Sequence, residues 1–269
     1  MCADFVPVGP RRTFEGAVEQ IAEQVRLGFL VEGERLPSER DLAATLRISR
    51  PTLREAVRVL VDADVLVVRP GPTGGTFVGS DYVPLGLLRS RSDLRLSEVA
   101  GVLEARRLTE PRVAQLAAVN AREEDFAELQ RTIDEQAELT AGDDVLARED
   151  RFLQLDTQFH LRIARATGNA TIVAIMRGLL GQLEIARDLA LHEPPVPGWV
   201  IDVHTRTLAA IRSGDHDRIE TVMDEHLAAM ETAWELATDR ALVRSVPEFL
   251  RPVAERSLRL DGRAAVPDP

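Results

Sequence analysis

A change of hydrophobic period within the first 80 residues restricts the fold of this chain more than any other feature of it. Residues 13–29, TFEGAVEQIAEQVRLGF, set Ala17, Ile21, Ala22, Val25 and Phe29 near helical spacing with charges opposite, the pattern of an amphipathic helix. After Gly28 and Gly33, Ser38 is an N-cap with Glu39 and Asp41 in the first turn, where the helix dipole favours carboxylates. This second helix runs to about Leu46. Ser49 caps a third helix that continues through Ala63, with Pro51 tolerated in its first turn. The period then shortens to two. VLVVR (65–69) and GGTFV (74–78) are β-rich runs around Pro70, Gly71, Pro72 and Thr73, which predicts a hairpin.

From residue 79 to about 94 the periodicity weakens, and SDYVP and RSRSD read as a flexible linker with at most one short helix. Helical patterns follow at 96–119, 123–139, 147–167, 169–191, 197–213 and 215–239, broken by loops such as TGN (167–169) and HEPPVPG (192–198). Hydrophobic residues make up 45% and aromatics 4%, a Leu-, Ala- and Val-rich balance that suits packed helices and argues against an all-β chain. The expected fold class is mainly α. Residues 1–80 form a small helical and hairpin unit, 81–94 the linker, 95–240 a helical bundle, and 241–269 a last helix and tail. Cys2 is the single cysteine, which excludes an internal disulfide or a cysteine-built metal site and fits a reducing cytoplasm. No apolar run approaches membrane-spanning length, so no membrane partner is expected.

Net charge is −11, which on its face argues against nucleic acid, but the acidity is unevenly spread. Residues 1–80 hold 10 of the 33 basic and 11 of the 44 acidic residues, so the excess of acid lies beyond them. The chain contains no lysine, and every long cationic contact must come from arginine. Arg50, Arg54 and Arg58 recur at i, i+4 and i+8 on one face of the third helix, with Val57, Leu60 and Val61 expected to face the core. An arginine fork can grip a phosphate or the O6/N7 edge of guanine. Three helices followed by a two-stranded wing suggest a winged helix-turn-helix whose last helix enters the major groove. The competing reading of such a stripe is a solvated face of i,i+4 salt bridges.

GERLPSERDLAATLRISRPTLREAVRVL followed by VLVVRPGPTGGTFV resembles the signature of the GntR family of regulators. The resemblance implies that Arg40 reaches DNA from the start of the second helix, and that Arg50 and Arg54 contact base edges or phosphates. It also implies that the Ser49 and Thr52 hydroxyls bond phosphate, and that Gly74 and Gly75 let the wing approach the minor groove. A tight hairpin turn is the other reading of both glycines. The sequence departs from the family at Arg47, where a glycine usually makes the bend, and in a wing without a basic residue between Arg69 and Thr76.

Three of the five histidines lie on helical patterns beside apolar residues. His160 accompanies Phe152, Leu155, Phe159 and Ile163; His204 accompanies Val200, Val203 and Leu208; His226 accompanies Ile219, Met223 and Met230. A lone inward histidine is usually a satisfied core residue, but Asp156 stands one turn before His160, and a buried carboxylate needs a partner. Asp156 and His160 can chelate one ion from a single helix, with His204 and His226 arriving from two others. Such a set suits a divalent metal, zinc first, with nickel, manganese or iron also compatible. His192 and His216 lie in or beside loops and read as solvated.

RRLTEPRVAQLAA (106–118), LDTQFHLRIARATGN (155–169) and DVHTRTLAAIRSGDHDRIETVMDEHL (202–227) resemble the FadR-type C-terminal, or FCD, domain in its metal-binding branch. That resemblance implies a metal on Asp156, His160, His204 and His226, a small carboxylate effector at the metal, and an arginine of the first bundle helix paired with it. Arg106 fits that role, with Arg107 as its neighbour and competitor. Asn169 either approaches the pocket or caps a helix. The chain is therefore expected to be a repressor that binds a near-palindromic double-stranded DNA operator as a homodimer and responds to a small carboxylate. A metal-dependent enzyme and a purely structural metal are the rival readings.

Overall fold

The computed structural model describes residues 13–71, 74–88, 99–140, 145–190 and 197–238. Two hydrophobic clusters organise these residues. The first is built by α1 (Thr13–Arg26), α2 (Glu39–Leu46), α3 (Arg50–Asp62) and the antiparallel ribbon of β1 (Leu66–Arg69) and β2 (Gly75–Val78), paired from Leu66 with Val78 to Arg69 with Gly75. Ala17, Val18, Ile21, Ala22 and Val25 bury one face of α1 against Leu42, Leu46, Leu53, Ala56 and Leu60. The core face of α3 is therefore Leu53, Ala56 and Leu60; Val57 and Val61, expected inside, pack only at its margin.

The caps act as the spacing predicts. Ser38 accepts from the Asp41 amide and Ser49 from the Thr52 amide, satisfying helix-start donors that otherwise lack partners. Arg47 closes α2 in the left-handed region at φ 54, the conformation for which a glycine is better suited. At the wing, Gly74 has no freedom to be anything else: a Cβ there would lie 2.3 Å from the Arg69 carbonyl oxygen. The hairpin itself thus demands this glycine, and its presence says nothing about DNA. Gly75, at φ 151, would press a Cβ against the Arg35 side chain.

The second cluster is made by α4 (Val99–Asn120), α5 (Glu123–Thr140), α6 (Val145–Ala166), α7 (Ala170–Ala190), α8 (Pro197–Ser213) and α9 (His216–Thr238). Its helices fall within a few residues of the predicted segments. Residues 89–98, His192 and the predicted helix at 241–257 lie outside the described residues. Among the described residues no helix is long and apolar enough to cross a membrane.

The expectation of a loose linker is overturned over residues 80–88, which are bound to α6. Val83 is fully buried, its amide donates to Gln154 Oε1 at 3.1 Å, and Gln154 Nε2 donates to the Asp81 carbonyl at 2.6 Å. Tyr82 Oη and the Leu85 amide both donate to Asp150 Oδ2. The end of α1 is tied in as well. Arg26, 1% exposed, donates to the Val83 carbonyl and to Asp150, while Gln158 donates to the Arg26 carbonyl at 2.7 Å. Leu27 belongs to the bundle's core, a burial that contributes about 1.5–3 kcal/mol for a leucine. Local polarity hid this junction, because its buried polar groups find partners only across 57 to 132 residues of sequence.

Candidate metal centre and nucleic-acid interface

Asp156, His160, His204 and His226, brought from α6, α8 and α9, are all buried, and one ligand atom from each lies within 4.8 Å of the others. Metal–ligand bonds of about 2.0–2.2 Å in a tetrahedral site hold donors roughly 3.3–3.6 Å apart, so the widest pair would close by about 1.2–1.5 Å on such an ion. His204 Nε2 faces Asp156 Oδ1 at 3.3 Å, and the His226 ring stands 4.7 Å from that of His160 and 4.9 Å from that of His204. Phe159 stacks on His204 with centroids 3.9 Å apart, fixing the plane of that imidazole.

The outward nitrogens of two rings are held by side chains the sequence reading missed. His160 Nδ1 meets Glu110 Oε2 at 2.7 Å, and His204 Nδ1 meets Gln136 Oε1 at 2.8 Å. An acceptor on Nδ1 fixes the tautomer that leaves Nε2 as a lone-pair donor, the arrangement metal-bound histidines use. His160 Nε2 and His226 Nδ1 are correspondingly buried with no hydrogen-bond partner. Burial pushes the His226 imidazole well below its usual range, and the two neighbouring imidazoles push it further, so it stands neutral and able to ligate. The donor set and its unsatisfied nitrogens therefore fit a divalent ion.

Glu110 also explains Arg106. Both are 2% exposed at the side chain; Arg106 Nε and Nη2 donate to the two Glu110 oxygens, and Nη1 lies 3.2 Å from the Met230 sulfur. Burial alone would raise Glu110, but Arg106 and His160 outweigh it and hold the carboxyl well below the ordinary carboxylate range. Arg106, expected to meet an effector, is thus held by Glu110, which links it to His160 Nδ1. Its rival Arg107 is buried and bound to Glu231 at 2.6 Å and to Asp224. Asn169 does not approach the centre. It is exposed, and its Oδ1 accepts from the Thr171 and Ile172 amides at the start of α7, because an Asn at that position is an N-cap. A signal for Glu110 existed in its i+4 spacing from Arg106 on an apolar helix; Gln136 offered none.

α3 presents Arg50, Arg54 and Arg58 to solvent, with side chains 57%, 63% and 83% exposed. Arg40, 84% exposed, projects from the first turn of α2. Arg58 reaches Asp62 at 3.9 Å, a loose surface pair. Ser49 Oγ and Thr52 Oγ1 lie 2.7 Å apart, so the two hydroxyls expected on phosphate first serve the helix cap. In the wing, Arg69 stacks 4.5 Å above the Phe77 ring.

Residues 13–78 match the model of the bacterial regulatory proteins of the gntR family, and residues 101–229 match the FCD domain. A putative L-lactate dehydrogenase operon regulatory protein of Escherichia coli K12 is 30% identical over 83% of this chain and 86% of its own length. This chain belongs to the GntR family. The HTH-type transcriptional repressor NanR of Escherichia coli K12 is 27% identical to this GntR protein over 85% of the chain and 86% of its own. A solved GntR structure from Streptococcus agalactiae shares 24% identity, with a TM-score of 0.42 over 80% of this chain and 98% of that one. As a GntR protein the chain is a DNA-binding transcription regulator and not an enzyme, and its mainly α architecture is a winged helix-turn-helix joined to an FCD bundle. The buried Asp/His cluster lies within the residues matched to the FCD domain, a domain type that includes metal-binding members.

Proposed function

We propose that this GntR regulator is a repressor whose bundle holds one divalent ion, zinc first, on Asp156, His160, His204 and His226, and senses a small carboxylate there. The observation that carries the reading is the pair of buried, unpartnered imidazole nitrogens, His160 Nε2 and His226 Nδ1, within a four-donor cluster. Leaving such atoms unsatisfied in the core costs about 1–3 kcal/mol each, which a ligated metal removes. A bound ion supplies open coordination positions for carboxylate oxygens. Arg106 is the cation next to it: the Met230 sulfur on its Nη1 is a weak acceptor that a carboxylate oxygen outcompetes, while Glu110 keeps the guanidinium in place.

The signal route we favour is α6. Gln154 and Gln158 stand two residues before Asp156 and His160, about 200° around the helix at 3.6 residues per turn. One face of α6 thus carries two metal ligands, and the other grips Arg26 and Val83. Two copies of the chain reading a near-palindromic operator complete the proposal. Leu108, Leu116 and Val119 leave an exposed apolar stripe on α4, with Ile175 exposed on α7, and a second copy would cover it.

The test is to measure the metal content of the purified protein and its operator affinity with and without a panel of hydroxy, keto, di- and tricarboxylic acids. We expect about one ion per chain, lost in His204→Ala, and an effector that changes operator affinity roughly 5- to 150-fold, equivalent to about 1–3 kcal/mol of coupling. Gln158→Ala should keep metal and operator while responding weakly. A bound metal with no carboxylate altering DNA affinity would leave the ion a structural role and sink the sensing reading.

A further inference from the structure

The DNA-facing surface holds a carboxylate where phosphate attraction gives it no use. Glu39 opens α2, and its two oxygens accept from two different arginines of α3: Oε1 from Arg50 Nε at 2.7 Å and Oε2 from Arg54 Nε at 2.9 Å. Glu39 is half-buried between them. Exposed ion pairs of this kind add little to stability in water, and a negative charge beside a duplex weakens the sequence-independent attraction that basic residues supply. The helix dipole favours a carboxylate in the first turn of α2, but neither it nor phosphate binding accounts for one carboxylate bridging two arginines of α3.

We infer that Glu39 is a specificity-determining positioning residue that aims Arg50 and Arg54 at base edges. A guanidinium carries five N–H donors in a rigid plane. Holding the Nε edge of each leaves its terminal nitrogens free, and that terminal fork reads guanine O6 and N7. One carboxylate shared by two arginines also sets their forks relative to each other, so ordering that would otherwise occur on docking is done in advance. An arginine that swings away to a phosphate must abandon Glu39. Arg58 lies on the same face but reaches Asp62 at 3.9 Å, and Arg40 contacts Asp41 at 3.4 Å; these two keep the freedom of phosphate contacts. Sequence discrimination and phosphate attraction are thus divided between arginines that Glu39 holds and arginines that it does not.

This inference rests on the reading that α3 enters the major groove, and the experiment separates the two. A duplex selected from a random pool by the wild-type protein serves as operator, and an unrelated duplex of equal length as the competitor, with binding followed by fluorescence anisotropy at two salt concentrations. Glu39→Ala should weaken operator binding roughly 10-fold or more, with affinity for the unrelated duplex unchanged or raised. The specificity ratio therefore falls. Glu39→Gln, of the same size and with one acceptor left, should fall between, and it carries the test if Glu39→Ala does not fold. Arg58→Ala should lower both affinities together. In an Arg50→Ala/Arg54→Ala background Glu39→Ala should no longer change the ratio, since its partners are gone. Equal loss on both duplexes, or an unchanged ratio, overturns the role of Glu39. If Arg50→Ala and Arg54→Ala themselves leave operator affinity intact, the docking of α3 is wrong and this inference falls with it.

Discussion

Arginine is used in opposite ways on the outer faces of α2 and α3 and in the packed interior. In the winged helix-turn-helix, Arg40, Arg50, Arg54 and Arg58 are all more than half exposed and pair only with surface carboxylates. In and beside the bundle, Arg26, Arg106 and Arg107 are almost wholly buried, each locked to a carboxylate. An arginine that must exchange water for DNA stays hydrated until the ligand arrives. One inside a core must have its partner built in, because an unpaired buried charge is far more costly than the pair is stabilising. The chain has no lysine, so this division rests entirely on where the fold places arginine.

The largest expected effect is on the buried side. Glu231→Ala strands Arg107, leaving only the more exposed Asp224, and should destabilise the bundle by about 3 kcal/mol or more in chemical unfolding followed by circular dichroism, while Glu231→Gln costs less. A loss below about 1 kcal/mol would show that Arg107 behaves like a surface arginine and erase the contrast. The next effect is on the exposed side. Arg50→Ala or Arg54→Ala should each cost about 1–3 kcal/mol of operator binding while leaving folding stability within about 0.5 kcal/mol, and Arg40→Ala should weaken operator and unrelated DNA alike. A drop in unfolding midpoint comparable to that of Glu231→Ala would overturn the assignment.

The smallest effect tests a residue that belongs to neither pattern. Arg47 is exposed yet forced to φ 54 at the end of α2, with its amide bonded back to the helix. Arg47→Gly removes the left-handed strain, offset in part by greater freedom of the unfolded chain, and should stabilise by up to about 1 kcal/mol in thermal melting. A destabilised variant would mean that the arginine side chain contributes more than its backbone costs.

Helix-scale features were legible because they are local. Ser38 and Ser49 are caps whatever the rest of the chain does, the 3.6-residue period places each bundle helix, and Asp156 lies one turn from His160 on any helix containing both. The candidate ligands could be named for the same reason, since a histidine on an apolar face must turn inward. What local spacing could not carry was pairing across the fold. Gln136 becomes a partner of His204 over 68 residues, and Asp150 a partner of Arg26 over 124. Glu110 is within local reach of Arg106 on one helix, but its second partner, His160 Nδ1, comes from a different helix. Residues 80–88 look like a linker because their period is lost, yet their backbone is bound by α6. Periodicity records which way a side chain faces; the group that satisfies it there depends on three-dimensional packing, because a buried donor takes the nearest acceptor irrespective of distance along the chain.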